Sequence, residues 1–187
     1  MTAMLEAIGM IELTSVGIGY KVQDAMLKAA DVKLVLGRTI CSGKYINIVT
    51  GQVAAVQAAV EAGLNAAPDG VIDSILIPNV HPSVFQALGQ SVQIGDGNQK
   101  ALGVVETFST ASVLEAADAA AKASGVTLFR IHIAMALGGK GFVLMTGSVA
   151  DCQSGVNVAA ELVREKGLLV SAVVIPGPSK ELYQEYI

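Results

Sequence analysis

Along this chain a short, nearly unbroken apolar run is followed by apolar positions at helical spacing, and the same order runs through twice. Residues 7–14 are apolar and partly β-branched, with Glu12 the only charge, which predicts a strand. Val22, Ala25, Met26 and Ala29 recur at helical spacing, so residues 20–30 are predicted as a short amphipathic helix. Residues 32–40 and 45–49 are predicted as a second and a third strand around the tight segment Cys41-Ser42-Gly43-Lys44. A helix over 52–66 follows, with Val53, Val56 and Val60 on one face. Residues 71–77 make a last strand, stopped by Pro78, and a short helix over about 82–88 closes the unit. This β-α-β-β-α-β order predicts an α/β (α+β) fold, an antiparallel or mixed sheet with helices on one face in the ferredoxin-like arrangement.

The second half repeats the first. Gly9 recurs as Gly103 and Glu12 as Glu106; at the same spacing Asp24-Ala25 recurs as Asp118-Ala119, Lys28-Ala29 as Lys122-Ala123 and Val32 as Val126. Gly43-Lys44 then matches Gly139-Lys140, and Gly51 matches Gly147, at a spacing longer by two. Two residues are therefore added in the second copy, within 130–137. Ile77-Pro78 is answered by Ile175-Pro176. Ser112-x-x-Glu115 and Ser148-x-x-Asp151 mark the expected helix starts of the second copy. The join, residues 89–100, is rich in Gly, Gln and Asn and has the composition of a linker. Two tandem domains follow, over 1–91 and 98–187. Two similar units in one chain can stand where two identical subunits stand in a ring, so a trimer of such chains makes a pseudo-hexamer.

Composition narrows the function classes. Hydrophobic residues make up 52% of the 187 and charged residues 15%, against roughly 25% charged in an ordinary globular chain. Such a chain is expected to bury surface against neighbours as well as within itself. No apolar run reaches the ~18 residues of a membrane span, and the start carries Glu6 without a basic stretch, so neither membrane insertion nor export is expected. Net charge is −4 and no basic tract is present, which argues against nucleic acid as a partner. Two cysteines, Cys41 and Cys152, are too few for a disulfide framework and are expected as reduced thiols in the cytoplasm.

The Gly9-Met10-Ile11-Glu12 opening, the Asp24-Ala25-Met26-Leu27-Lys28-Ala29-Ala30 helix and the Gly43-Lys44 turn resemble bacterial microcompartment shell domains. The resemblance covers nearly the whole chain, twice, and the tandem arrangement is similar to the trimeric two-domain class, in unpermuted order. It implies a structural subunit rather than an enzyme, located in the microcompartment shell. The subunit would form a flat homotrimeric tile packed against other shell proteins at its edges. Lys28 and Lys122 match the family's tile-edge lysine; the arginine that often follows the last strand is replaced by Asn79 and Gly177. The turns after the second strand of each copy would line a central pore, with Ile40, Cys41, Ser42 and Gly43 from one and Ala136, Leu137 and Gly138 from the other.

Within that class the segments Thr39-Ile40-Cys41-Ser42-Gly43-Lys44 and Arg130-Ile131-His132-Ile133-Ala134 look most like the propanediol-utilisation type. That likeness implies a [4Fe-4S] cluster shared by three subunits, each giving Cys41 as metal ligand, for electron transfer across the shell to or from an encapsulated redox enzyme. A lone cysteine is more often a small buried hydrophobe, and such clusters need several thiolates. Threefold symmetry supplies three, and leaves the fourth iron to a non-protein ligand. Proline often follows this cysteine in the family, where Ser42 stands here. The alternatives are an empty metabolite pore and a soluble trimeric ferredoxin-like regulator binding a small ligand.

Other candidate chemistry has plainer explanations. Cys152 matches Val56 on an apolar helix face and is expected in the core. His132 falls mid-strand and is expected as a surface or interface residue; His81 precedes Pro82 and is expected at a helix start or between tiles. Glu12 and Glu106 recur through duplication and are expected to make structural hydrogen bonds. Leu137-Gly138-Gly139-Lys140-Gly141 leads into a strand-like segment instead of opening a helix, which is the wrong context for a phosphate loop.

Overall fold

The computed structural model describes residues 7–92, 94, 100–135 and 137–184. The first repeat runs β1 (Ala7–Leu13), α1 (Val16–Ala29), β2 (Lys33–Ile40), a single tight turn at Cys41–Gly43, β3 (Lys44–Gly51), α2 (Val53–Ala66), β4 (Val71–Pro78) and α3 (Pro82–Leu88). The second runs β5 (Ala101–Thr107), α4 (Thr110–Ala123), β6 (Thr127–Ile133), β7 (Gly141–Gly147), α5 (Val149–Glu165), β8 (Leu169–Pro176) and α6 (Glu181–Gln184). The sheets have the orders β2-β3-β1-β4 and β6-β7-β5-β8, with every neighbouring pair antiparallel. This is the α+β, ferredoxin-like arrangement expected from the element order. Even the irregularities repeat: β2 slips register between Leu34 and Leu36, and β6 slips at the matching Leu128 and Arg130.

Two helix starts differ from the sequence reading. Helix α1 begins at Val16, not near residue 20, because the Ser15 hydroxyl accepts the Ile18 N–H at 3.4 Å and caps it. Gly17 and Gly19 inside the first turns hide that start from propensity. Helix α4 begins at Thr110 with Ser109 as cap, its hydroxyl accepting the Ser112 N–H at 3.1 Å. Ser112-x-x-Glu115 is therefore not the capping box; Glu115 instead pairs with Lys166. The Ser148 cap of α5 is as expected, accepting from the Asp151 N–H at 3.0 Å.

The chain divides into two compact units that cross the repeat boundaries. The first holds the described residues up to Val80 and the short turn near 134–139; the second holds His81–Ile133 and everything from Lys140 on. In the first unit α1 and α2 lie side by side against the sheet, over Ile11, Leu13, Val22, Met26, Val49, Val56 and Ala59, all fully buried. Close approach needs missing side chains. A Cβ on Gly9 would lie 2.6 Å from Val60 Cγ2, and one on Gly63 2.6 Å from Ile11 Cδ1. In the second unit Gly103 plays the same part, 2.9 Å from Val156 Cγ2. Of the segment read as a linker, residues 93 and 95–99 lie outside the described residues; Val92 and Ile94 pack against Leu102, Phe129, Leu144 and Tyr183. No helix among the described residues is long and apolar enough to cross a membrane.

Candidate functional site

The turn between β2 and β3 carries the sharpest chemistry. Ile40 pairs with Lys44 as the last rung of the hairpin, leaving three residues to reverse the chain. Three residues close a hairpin most easily with left-handed backbone, and both Ser42 (φ 65°) and Gly43 (φ 72°) adopt it. Ser42 and Gly43 are exposed and Cys41 is half-buried, so the thiol sits at a solvent-facing turn. Ile40, the last residue of β2, is buried, at 6% exposure.

The matching turn of the second repeat comes to the same unit. The Cys41 N–H donates to the Ala134 carbonyl at 3.2 Å. Strand β6 ends at Ile133, so the two added residues fall between Ala134 and Lys140. Gly138 (φ 63°) and Gly139 (φ 93°) turn the chain back towards β7. Leu137 is half-buried and Gly138 exposed, while Ala136 lies outside the described residues. The glycine-rich stretch runs into a strand and no helix starts there, which removes the phosphate-loop geometry.

Each turn is anchored by an ion pair that sequence reasoning missed. Lys44 Nζ lies 2.9 Å from Glu12 Oε1, whose side chain is only 5% exposed. Lys140 Nζ lies 3.3 Å from Glu106 Oε1, and the Ser171 hydroxyl donates to the other oxygen at 3.2 Å. The cross-strand register explains both. Glu12 faces Ile46, so Lys44 is its diagonal neighbour on the same sheet face; Glu106 faces Phe142, with Lys140 on the same diagonal. The glutamates that recur through duplication thus each meet the lysine that ends a turn. The signal in sequence was a glutamate at the end of one strand and a lysine opening the next but one.

The remaining candidates are spread through the fold. Lys28 and Lys122 sit in the last turns of α1 and α4, where a cation suits the helix dipole, and pair with Asp24 and Asp118 at 2.7 Å. Cys152 is fully buried in α5, as read from its match to Val56; burial pushes its thiol up, with the Asp151 charge adding to this. His81 is at a helix start: its Nδ1 accepts the Ser83 N–H at 3.3 Å, and its own N–H donates to Asp118 Oδ1 at 2.7 Å. His132 stacks on Phe142 with ring centres 4.9 Å apart. No cluster of three His, Cys, Asp or Glu side chains able to hold a metal occurs among the described residues of the chain.

The BMC domain matches twice, over residues 7–80 and 101–178. The bacterial microcompartment shell protein PduT of Citrobacter freundii is 43% identical over 98% of this chain and 99% of its own length. The carboxysome shell protein CsoS1 of Prochlorococcus marinus is 39% identical over 48% of this chain but 89% of its own length, so it spans about one repeat. A solved microcompartment protein from Desulfitobacterium hafniense superposes with a TM-score of 0.92 at 46% identity, covering 96% of this chain and 99% of that one.

Proposed function

Because this chain belongs to the BMC-domain family of bacterial microcompartment shell proteins, we propose that it forms a flat, pseudo-hexameric trimer whose three Cys41 turns meet at the axis and hold a [4Fe-4S] cluster. The coarser statement, a structural subunit of the shell, rests on the two domain matches and the near full-length relative. That membership sets aside the soluble ligand-binding regulator.

The observation that carries the finer reading is the setting of Cys41. Its thiol is half-buried on an exposed, glycine-containing turn, whereas Cys152 is fully buried. Among the described residues of one chain no three candidate ligands come together, and of the two cysteines in the sequence Cys152 is buried in the core. Cluster irons are held by thiolates, and one cysteine per chain meets that need only where several chains converge. The donor set thus fits a threefold site. The exposed turn keeps the thiol reachable, the Glu12–Lys44 pair fixes the strand end behind it, and the bond to Ala134 ties it to the second turn. A bound cluster would supply one-electron transfer at the shell.

The reading extends to partners. Lys28 and Lys122 are proposed as edge contacts to neighbouring tiles, and a redox enzyme inside the shell as the electron partner. The test is anaerobic purification of the wild type and Cys41→Ala, with iron and sulfide analysis and mass by light scattering. The wild type is expected to be a brown trimer and the variant a colourless trimer. Iron retained by Cys41→Ala rejects Cys41 as ligand. A colourless wild type, after reconstitution with iron and sulfide, supports the empty metabolite pore instead.

A further inference from the structure

The ion pair behind the Cys41 turn belongs to a row of charges that the second repeat does not keep. Residues directly opposite one another in an antiparallel sheet share a face. On the face that Glu12 occupies, Arg38 of β2 stands opposite Ile46 of β3, Ile46 opposite Glu12 of β1, and Glu12 opposite Asp73 of β4. Lys44 opens β3 on the rung next to the turn and reaches Glu12. The matching row of the second repeat reads His132, Phe142, Glu106 and Ser171, on β6, β7, β5 and β8. Side-chain contacts agree with that register: His132 stacks on Phe142, and the Ser171 hydroxyl donates to Glu106. Both repeats keep the lysine and the glutamate. They differ at the two ends of the row, arginine against imidazole and carboxylate against hydroxyl.

The charges of the first row are ordered. The cations Arg38 and Lys44 lie on β2 and β3, the two strands that the Cys41 turn joins. The carboxylates Glu12 and Asp73 lie on β1 and β4, farther across the sheet β2-β3-β1-β4. The positive end of the row therefore flanks the thiol. These groups are also poorly hydrated. The Glu12 side chain is 5% exposed and that of Lys44 31%, and Arg38 is half-buried. Partly buried charges are screened by salt much less than exposed ones, so their field reaches the turn.

We infer that Arg38, Lys44 and Glu12 are positioning residues for electron transfer at the Cys41 turn: the two cations raise the reduction potential of the group held there, and the buried carboxylate lowers it. This role rests on the cluster reading proposed above and adds what sets the potential. The step is the gain of one electron from a one-electron reductant, with no bond made or broken and no proton moved. It adds one negative charge, which a nearby cation stabilises and a nearby anion opposes; net charge around an iron–sulfur centre is one of the quantities that set its potential. On the threefold reading each substitution is present in all three chains, so its effect is felt three times.

Potentiometric titration followed by electron paramagnetic resonance tests this on the reconstituted full chain, with dithionite as reductant. Glu12→Gln is expected to raise the equilibrium constant for reduction at least tenfold, a rise of about 59 mV for one electron. Arg38→Gln is expected to lower it by a similar factor. Lys44→Gln added to Glu12→Gln is expected to bring the potential back to the wild-type value or below, and Lys44→Arg, which keeps the charge, to leave it in place. Lys33→Gln is the control. Lys33 is exposed at the start of β2, about 25 Å from the turn by strand rise and beyond the ~8 Å screening length at physiological salt. A turn that is merely loosened moves Glu12→Gln and Arg38→Gln in one direction, so opposite signs separate charge from packing. If the wild type binds a cluster, yet both variants leave the potential in place or shift it the same way, this role is wrong and the cluster reading stands. Should Arg38→Gln not fold, Glu12→Gln and the double variant decide, and equal potentials for these two reject Lys44. A wild type that takes up no iron and sulfide overturns both readings.

Discussion

Ser42 shows how far one residue can be reasoned. Its left-handed backbone costs an L-residue roughly 1–2 kcal/mol relative to a relaxed one, and its side chain is exposed. Ser42→Gly is therefore expected to raise the thermal midpoint. Ser42→Pro is expected to lower it, because proline fixes φ near −65° and cannot take φ 65°. Calorimetry of the two variants checks this, and the result bears on the sequence reading, where proline was the residue that the family resemblance suggested here. The cysteines separate in the same way. With the cluster absent, Cys41 is expected to alkylate readily in the folded protein. Cys152 is expected to resist until unfolding, since burial removes access and pushes its thiol up. Peptide mass mapping after brief iodoacetamide treatment distinguishes them. The sign of the pH effect follows. A folded thiol held above its usual 9.0 stays protonated while the unfolded one ionises, so stability is full below pH 9.0 and falls as pH rises beyond it. Tyr45 and Tyr183, also pushed up by burial, extend the loss to higher pH.

At the scale of elements, caps and cross-strand pairs carry separable energies. Ser109→Ala is expected to cost about 1 kcal/mol, the usual worth of an N-cap, whereas Glu115→Ala is expected to cost less than about 1 kcal/mol as a surface ion pair. Chemical denaturation of both distinguishes the observed cap from the capping box that the sequence suggested. Lys44→Met leaves the Glu12 carboxylate with its side chain 5% exposed and without its cation, while Lys140→Met leaves Glu106 at 26% exposure and still bonded to Ser171. Removing one partner of a buried pair is the costly case, so Lys44→Met is expected to destabilise by about 2 kcal/mol or more and Lys140→Met by clearly less. Equal losses would mean that the two turns are anchored by something other than these pairs.

At the scale of the whole molecule, duplication lets one loop change without its twin. A symmetric ring of single domains would place the same turn six times around an axis; a tandem chain allows Cys41 in one turn and a longer glycine-rich path in the other. The same freedom appears in the surfaces, where α1 is largely exposed and α4 largely buried although their sequences align. Edge packing belongs at this scale too. Lys28 is 75% exposed and Lys122 43%; on the proposed reading of these two as edge contacts of a trimeric tile, Lys28→Ala with Lys122→Ala is expected to leave the native mass unchanged while abolishing extended sheets in electron micrographs. Sheets that persist would show that other residues join the tiles.

The sequence by itself determined the element order, the duplication and the core role of Cys152, and it marked the tight reversal at Cys41–Gly43. Each of these is written in local terms: periodicity, a capping serine, a glycine at a tight reversal, or a motif that recurs along the chain. Tertiary structure decided which glutamate meets which lysine, because strand register sets that pairing and residues 12 and 44 are distant in sequence. It also decided that the 134–139 turn joins the first unit and that α3 joins the second. A repeat boundary in sequence records descent, whereas a packing boundary records where apolar surface found cover. The two need not coincide, and here α3 follows the first repeat's last strand yet buries Val84 and Ala87 in the second unit.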